Sequence, residues 1–220
     1  MLSLHLACPR VGHYDAALHV FSYLKKHPKQ LIAFDPRHPR IDQNRFISHD
    51  WYHFYRGAKE PIPGDIPSPL GKPVTTHCYV DTRHADNRLN RRSQTGILTF
   101  VNSAPIIWFS TRQNTVETST FGSEMVALRI AVEQIQALRF KLRSFGIPID
   151  GPADVFCDNK AITKAARNPE STLTKKHNAV AYHCVREAVA MGMIRVAWED
   201  TKTNLADLLT KAKLKLSKKV

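Results

Sequence analysis

The chain lacks any apolar run near the ~20 residues that a membrane-spanning helix needs, which excludes a protein built on transmembrane helices. Its start, from Met1 to Cys8, lacks a basic segment, and the short apolar run there is broken by His5. A cleaved secretory signal is therefore not expected, and the protein is read as intracellular, in cytoplasm or nucleus. Cysteine is scarce: Cys8, Cys78, Cys157 and Cys184 are scattered, with no C-x-x-C pair. That excludes a disulfide framework and a zinc ribbon and fits reduced thiols. There is no Asp-Asp pair of the polymerase kind, no H-E-x-x-H, no phosphate-binding P-loop and no internal repeat. Acids are few as well, 19 against 32 Lys and Arg in 220 residues, for a formal charge of +13. The sequence pI is near 9.8. Such an excess points to a polyanionic partner, with nucleic acid ahead of a membrane surface, and against a bland reading in which it only aids solubility.

Hydrophobic residues make up 43% of the sequence, enough for a buried core. Proline divides the chain, since 8 of the 13 prolines fall between Pro28 and Pro73. Residues 28–76 therefore read as an extended connector, anchored by Trp51, Tyr52, Phe54 and Tyr55. Before it, Val11, Tyr14, Leu18, Phe21 and Leu24 recur at helical spacing and predict an amphipathic helix over 11–26. From residue 77 onward the pattern is α/β. Strands are expected at 77–81, 96–102, 105–110, 153–157 and 193–198, with helices at 119–145, 160–167, 174–191 and 204–213. This order implies a mixed five-stranded sheet with helices on both faces. Trp108 and Trp198 fall at strand positions and are expected in the core. His177, His183 and Cys184 are expected to pack or face solvent rather than bind metal.

The placement of the few acids carries information. Asp81 and Asp158 close the first and fourth strands, and Glu124 and Asp207 open helices, so all four fall on one predicted edge of the sheet. Glu124 heads the series Leu128, Ala131, Ile135, Leu138, Leu142 and Phe145, the stripe that faces the sheet. A carboxylate turned inward is costly without a cation, and clustered carboxylates repel one another. Divalent ions with hard oxygen ligands would resolve that conflict. Each acid also has a structural reading: Asp158-Asn159 as a helix cap, Asn204 to Asp207 as a capping box, Glu124 as a dipole-favoured acid, Asp81 as an edge charge.

The same residues carry a resemblance. Tyr79-Val80-Asp81, Arg91 to Gly96, Ala104 to Ser110, Ser119 to Leu128, Cys157 to Ile162, Lys176-His177, Tyr182 to Glu187 and Leu205 to Lys211 follow in one order. Together they resemble the RNase H domain of copia-type retrotransposon Pol polyproteins. The first helix resembles the end of the reverse transcriptase that precedes that domain. The resemblance implies four parts: 1–27 a reverse-transcriptase end, 28–76 the connector, 77–213 an RNase H-like domain and 214–220 a basic tail. It also implies an endonuclease that hydrolyses the RNA strand of RNA–DNA hybrids with two Mg²⁺ or Mn²⁺ ions held by Asp81, Glu124, Asp158 and Asp207. Candidate contacts to the hybrid are Arg91, Arg92, Lys160, Lys175 and Lys176, and an upstream reverse-transcriptase domain is an implied partner.

Three departures from the family pattern stand out. Arg83 replaces the second acid of the usual Asp-Ala-Asp-Trp and would oppose a nearby metal if it pointed inward. Phe121-Gly122-Ser123 replaces the usual Thr-Glu-Ala before Glu124. No histidine lies between Trp198 and Asp207. The alternatives are a weak or inactive retroelement remnant that binds nucleic acid, a scaffold for a polymerase, and an integrase-type nuclease, which the motif order after Asp158 disfavours.

Overall fold

The computed structural model describes residues 7–87, 89–173 and 176–211. The basic tail 214–220 and Lys175 lie outside the described residues. A helix, α1 (Val11–Lys26), comes first and buries none of its residues. Strands β1 (Thr76–Arg83), β2 (Gln94–Val101) and β3 (Ala104–Arg112) form an antiparallel meander. Helix α2 (Thr120–Ser144) leads to β4 (Ala153–Cys157), parallel to β1. Helices α3 (Lys160–Arg167) and α4 (Ala179–Ala190) precede β5 (Ile194–Trp198), parallel to β4, and α5 (Asp207–Thr210) follows. The sheet order β3-β2-β1-β4-β5 is the RNase H-like arrangement.

Strand alternation divides the sheet's two faces. Cys78, Val80, Ile97, Val155, Cys157 and Val196 join Met125, Leu128, Ala131, Val132 and Ile135 of α2 in one apolar core. Burying each of the larger side chains contributes roughly 1.5–3 kcal/mol. On the opposite face His77 stacks on Phe100, ring centroids 4.5 Å apart, and Tyr79 on Phe156 at 5.0 Å. Near Gly96, α5 approaches so closely that a Cβ there would lie 2.7 Å from Thr210 Cγ2 and 2.9 Å from the Ala206 carbonyl oxygen.

The proline-rich segment is strapped to this second face and around the edge of the molecule. Its prolines cannot donate to a strand ladder, so the attachment comes from side chains and isolated amides. Phe46 lies 5.8 Å from Phe156, and Arg45 sits 4.7 Å over the same ring. The Pro36 carbonyl accepts from Asn102 Nδ2 at 2.9 Å. Glu60 accepts from both Arg139 and Arg143 of α2. Trp51 is buried and carries Arg186 at 4.9 Å over its ring, while Tyr52 and Phe54 are exposed. Arg186 in turn donates to the carbonyls of Ala165, Asn168 and Pro169 and so fixes the end of α3.

Several expectations change in detail. The helix expected at 174–191 starts at Ala179, after a 3₁₀ turn over Lys176–Asn178. The helix expected at 204–213 is a single turn within the described residues. Phe145 ends the inward stripe on paper but is 76% exposed, because α2 stops at Ser144. Trp108 and Trp198 are 56% and 36% exposed, not core. Trp108 lies on edge strand β3, and Trp198 is the last residue of the opposite edge strand, β5.

Candidate metal centre

Each acid is delivered by a different element. Asp81 sits near the end of β1 and Asp158 follows β4 directly. Glu124 lies in the second turn of α2, and Asp207 opens α5. One ligand atom from each of Asp81, Glu124 and Asp158 falls within 4.8 Å of the others. Asp207 is outside that triad, yet its charge is close enough to act on Asp81. Lys211 Nζ pairs with Asp207 at 2.7 Å.

Local hydrogen bonding separates the structural readings of these acids from the chemical ones. Asn159, not Asp158, caps α3, accepting from Ala161 N at 3.0 Å and Ile162 N at 3.2 Å. The Asp158 carboxylate is left for the cluster and accepts only from Thr201 Oγ1, at 2.8 Å, among the described residues. Ser119 caps α2 through Gly122 N at 3.3 Å, so Glu124 is not needed at that terminus. Glu124 is 9% exposed, and its Oε2 has no hydrogen-bond partner among the described residues. Asn204 donates to the Val80 carbonyl at 2.9 Å and anchors α5 to the core strand beside Asp81.

The electrostatics follow from the crowding. Burial raises the Glu124 carboxyl to about 9, helped by the charges of Asp158 and Asp81. Burial also raises Asp81, to about 6. The Thr210 hydrogen bond and the Lys211 charge oppose that rise, and Asp207 and Asp158 reinforce it. Sites of this kind hold more negative charge than their surroundings neutralise, and a bound cation is the simplest remedy.

Two contributors were not singled out by sequence reasoning. Thr210 Oγ1 donates to Asp81 Oδ2; its place one helical turn beyond Asp207 is the signal that could have found it. Gln113 is 1% exposed and donates to the Ser123 carbonyl at 2.8 Å and to Thr95 Oγ1 at 3.0 Å, tying the sheet to the turn that presents Glu124. A lone glutamine after a strand gives no comparable signal. Arg83 turns outward, its Nε 2.7 Å from Asp86, so it does not oppose the cluster. Arg91 lies in the β1–β2 turn with φ 56° and is exposed, beside the half-buried Arg92. Lys160 and Lys176 are exposed on α3 and the 3₁₀ turn. His183 bonds the Tyr55 hydroxyl at 2.6 Å and His177 lies 3.6 Å from Glu117.

No protein-family model matches the chain. Over 141 residues, 64% of the chain, it is 30% identical to the retrovirus-related Pol polyprotein from transposon RE1 of Arabidopsis thaliana, of which that stretch covers 10%. Over 133 residues, 60% of the chain, it is 31% identical to the corresponding polyprotein from transposon TNT 1-94 of Nicotiana tabacum, again 10% of that protein. Both relatives are retrovirus-related Pol polyproteins of plant transposons. The chain spans about a tenth of the length of these curated relatives. Among solved structures, the N-terminal RNase H domain of a Mycobacterium tuberculosis protein is 13% identical with a TM-score of 0.47, covering 62% of this chain and 91% of that one. LC11-RNase H1, isolated from compost, is 16% identical with a TM-score of 0.48, covering 61% and 91%. Among the described residues no helix is long and apolar enough to cross a membrane.

Proposed function

We propose that this chain is a metal-dependent ribonuclease H that hydrolyses the RNA strand of RNA–DNA hybrids, as part of or derived from a copia-type retrotransposon polyprotein. The observation that carries the reading is the convergence of Asp81, Glu124 and Asp158 to within 4.8 Å from three separate elements. Hard carboxylate oxygens suit Mg²⁺ or Mn²⁺, and the buried, unpartnered Oε2 of Glu124 is an atom that a cation would satisfy. Asp81, Glu124, Asp158 and Asp207 are the residues proposed to hold two ions. Ions bound there would lower the pKa of the attacking water and stabilise the leaving 3′ oxygen.

The chain's own residues do the rest of the work in this reading. Thr210 donates to one oxygen of Asp81 and so would fix the orientation of that carboxylate in the cluster. Gln113 and Ser119 fix the first turns of α2, keeping Glu124 at its place in the cluster. Arg91, Arg92, Lys160, Lys175 and Lys176 would contact phosphates, and the hybrid would be read by backbone and 2′-hydroxyl shape rather than by sequence. Residues 1–27 are proposed as the end of a reverse transcriptase, 28–76 as its connector and 77–213 as the nuclease domain.

A labelled RNA–DNA hybrid incubated with Mg²⁺ or Mn²⁺ tests the assignment. Cleavage of the RNA strand, lost in Asp158→Asn, is the expected result. Salt-sensitive binding without cleavage by the wild-type protein would overturn it in favour of a binding remnant.

A further inference from the structure

A cavity of about 540 Å³ opens beside the acidic cluster, at the β5 edge of the sheet. Lys160, Lys164 and Arg167 line it from one face of α3, their i, i+4, i+7 spacing placing them in a row. Trp198, at the end of β5, and Ile47 and His49 of the connector also line it. Among the described residues no carboxylate lines it. The volume falls within the range of roughly 300–1,000 Å³ that suits a small organic ligand.

The walls are held in place. Lys160 Nζ rests 4.6 Å from the centroid of the Trp198 ring, a cation–π contact between two of the lining residues. Trp198 Nε1 donates to the Asp158 backbone carbonyl at 3.0 Å, so one lining residue of the cavity is bonded to a residue of the acidic cluster. Arg45 bonds the Trp198 carbonyl and pairs with Glu199 at 2.7 Å, which anchors the connector just before Ile47 and His49. Arg186 braces the far end of α3.

Three cations and a partly exposed indole, with no acid among them, match a phosphodiester joined to a flat aromatic base. We propose that this cavity binds one nucleotide of the nucleic-acid strand that runs past Asp158, a role that rests on the nuclease reading for the identity of that strand. Lys164 and Arg167 take the phosphate, and Ile47 and Trp198 supply the apolar wall for the base. The connector is then part of the binding surface rather than a spacer.

Fluorescence anisotropy without divalent metal tests this, using a labelled RNA–DNA hybrid and the matching single-stranded RNA. Lys164→Gln/Arg167→Gln should weaken binding about 10-fold and flatten the slope of log K against log salt by about 1–2. Lys25→Gln/Lys26→Gln on α1 removes the same charge elsewhere and should shift affinity less than about 2-fold if the loss is local rather than bulk electrostatics. His49→Ala, at an exposed position, should cost about 3-fold, a modest loss that reports on the connector wall. Equal weakening by both double variants would overturn the site. Inorganic phosphate, at matched ionic strength, should narrow the difference between the wild type and Lys164→Gln/Arg167→Gln by competing for those two cations. If the wild type cleaves the hybrid and Lys164→Gln/Arg167→Gln binds as tightly as it does, the cavity proposal falls alone. If no cleavage occurs but the affinity losses are as stated, the nuclease reading falls and the cavity stands.

Discussion

Replacing Glu60 by Gln tests whether the connector is held to the α/β domain by charge. Glu60 accepts from Arg139 Nε at 2.8 Å and Nη2 at 2.9 Å, and from Arg143 Nη1 at 2.6 Å and Nη2 at 2.8 Å. Its side chain is 11% exposed and that of Arg139 only 4%. Burial alone would raise the Glu60 carboxyl, but the hydrogen bonds from Arg143 and Arg139 outweigh it and hold the group at about 2 instead of 4.5. At 1.36 kcal/mol per pH unit, and with solvent screening allowed for, this is worth about 2–3 kcal/mol. Glu60→Gln leaves the buried Arg139 charge with only the Gly151 carbonyl, at 3.0 Å, among the described residues. For a chain of this length the melting temperature should fall by about 5–10 °C. A carboxylate with a depressed native pKa stabilises above its unfolded pKa and ceases to as it protonates in the native state. The gap between wild type and variant should therefore be full above about pH 4.5 and close as the pH falls toward 2. Thermal melts followed by circular dichroism across that range measure it. A gap below about 1 °C at pH 7 would refute the clamp, because a buried guanidinium losing its carboxylate should cost several times more.

The acidic cluster makes the opposite prediction. Glu124→Gln removes a buried carboxyl that is ionised in the unfolded chain at pH 8 but must take up a proton in the fold, so the metal-free protein should melt several degrees higher there while cleavage is lost. A lowered melting temperature would show that Glu124 is already satisfied. Because Glu124 is raised to about 9, its protonated form stabilises the metal-free protein below pH 4.5, and that contribution drains away as pH rises through 9. Added Mn²⁺ should thus raise the melting temperature more at pH 9 than at pH 6, and equal gains would count against a metal at this carboxylate. Gly96→Ala forces a methyl to within 3 Å of Thr210 and of the Ala206 backbone. It should displace α5, costing about 1–3 kcal/mol in chemical denaturation and at least 10-fold in cleavage rate. Unchanged cleavage would separate α5 from the site.

What the sequence made readable, and what it hid, follows from the range of the interactions involved. The inward stripe of α2 is a local periodic signal, so the burial of Glu124, Leu128 and Ile135 could be read directly. The strand pattern gave the mixed sheet for the same reason. Trp108 and Trp198 were misread because edge position is a property of the assembled sheet, which alternation along a single strand does not encode. Prolines announced the absence of regular structure over 28–76. They could not announce that Phe46, Trp51 and Glu60 bind partners 110, 135 and 79 residues away in sequence. Thr210 and Gln113 act on the cluster through one hydrogen bond each, and contacts of that kind have no periodicity.

The strapping of the proline-rich arm bears on where the gene could be shortened. A polypeptide started at Thr76, where the first strand begins, would lose the phenylalanine and arginine that lie against Phe156. Such a product should be sticky, and recombinant truncations should keep everything from about Asp35 onward to stay in solution.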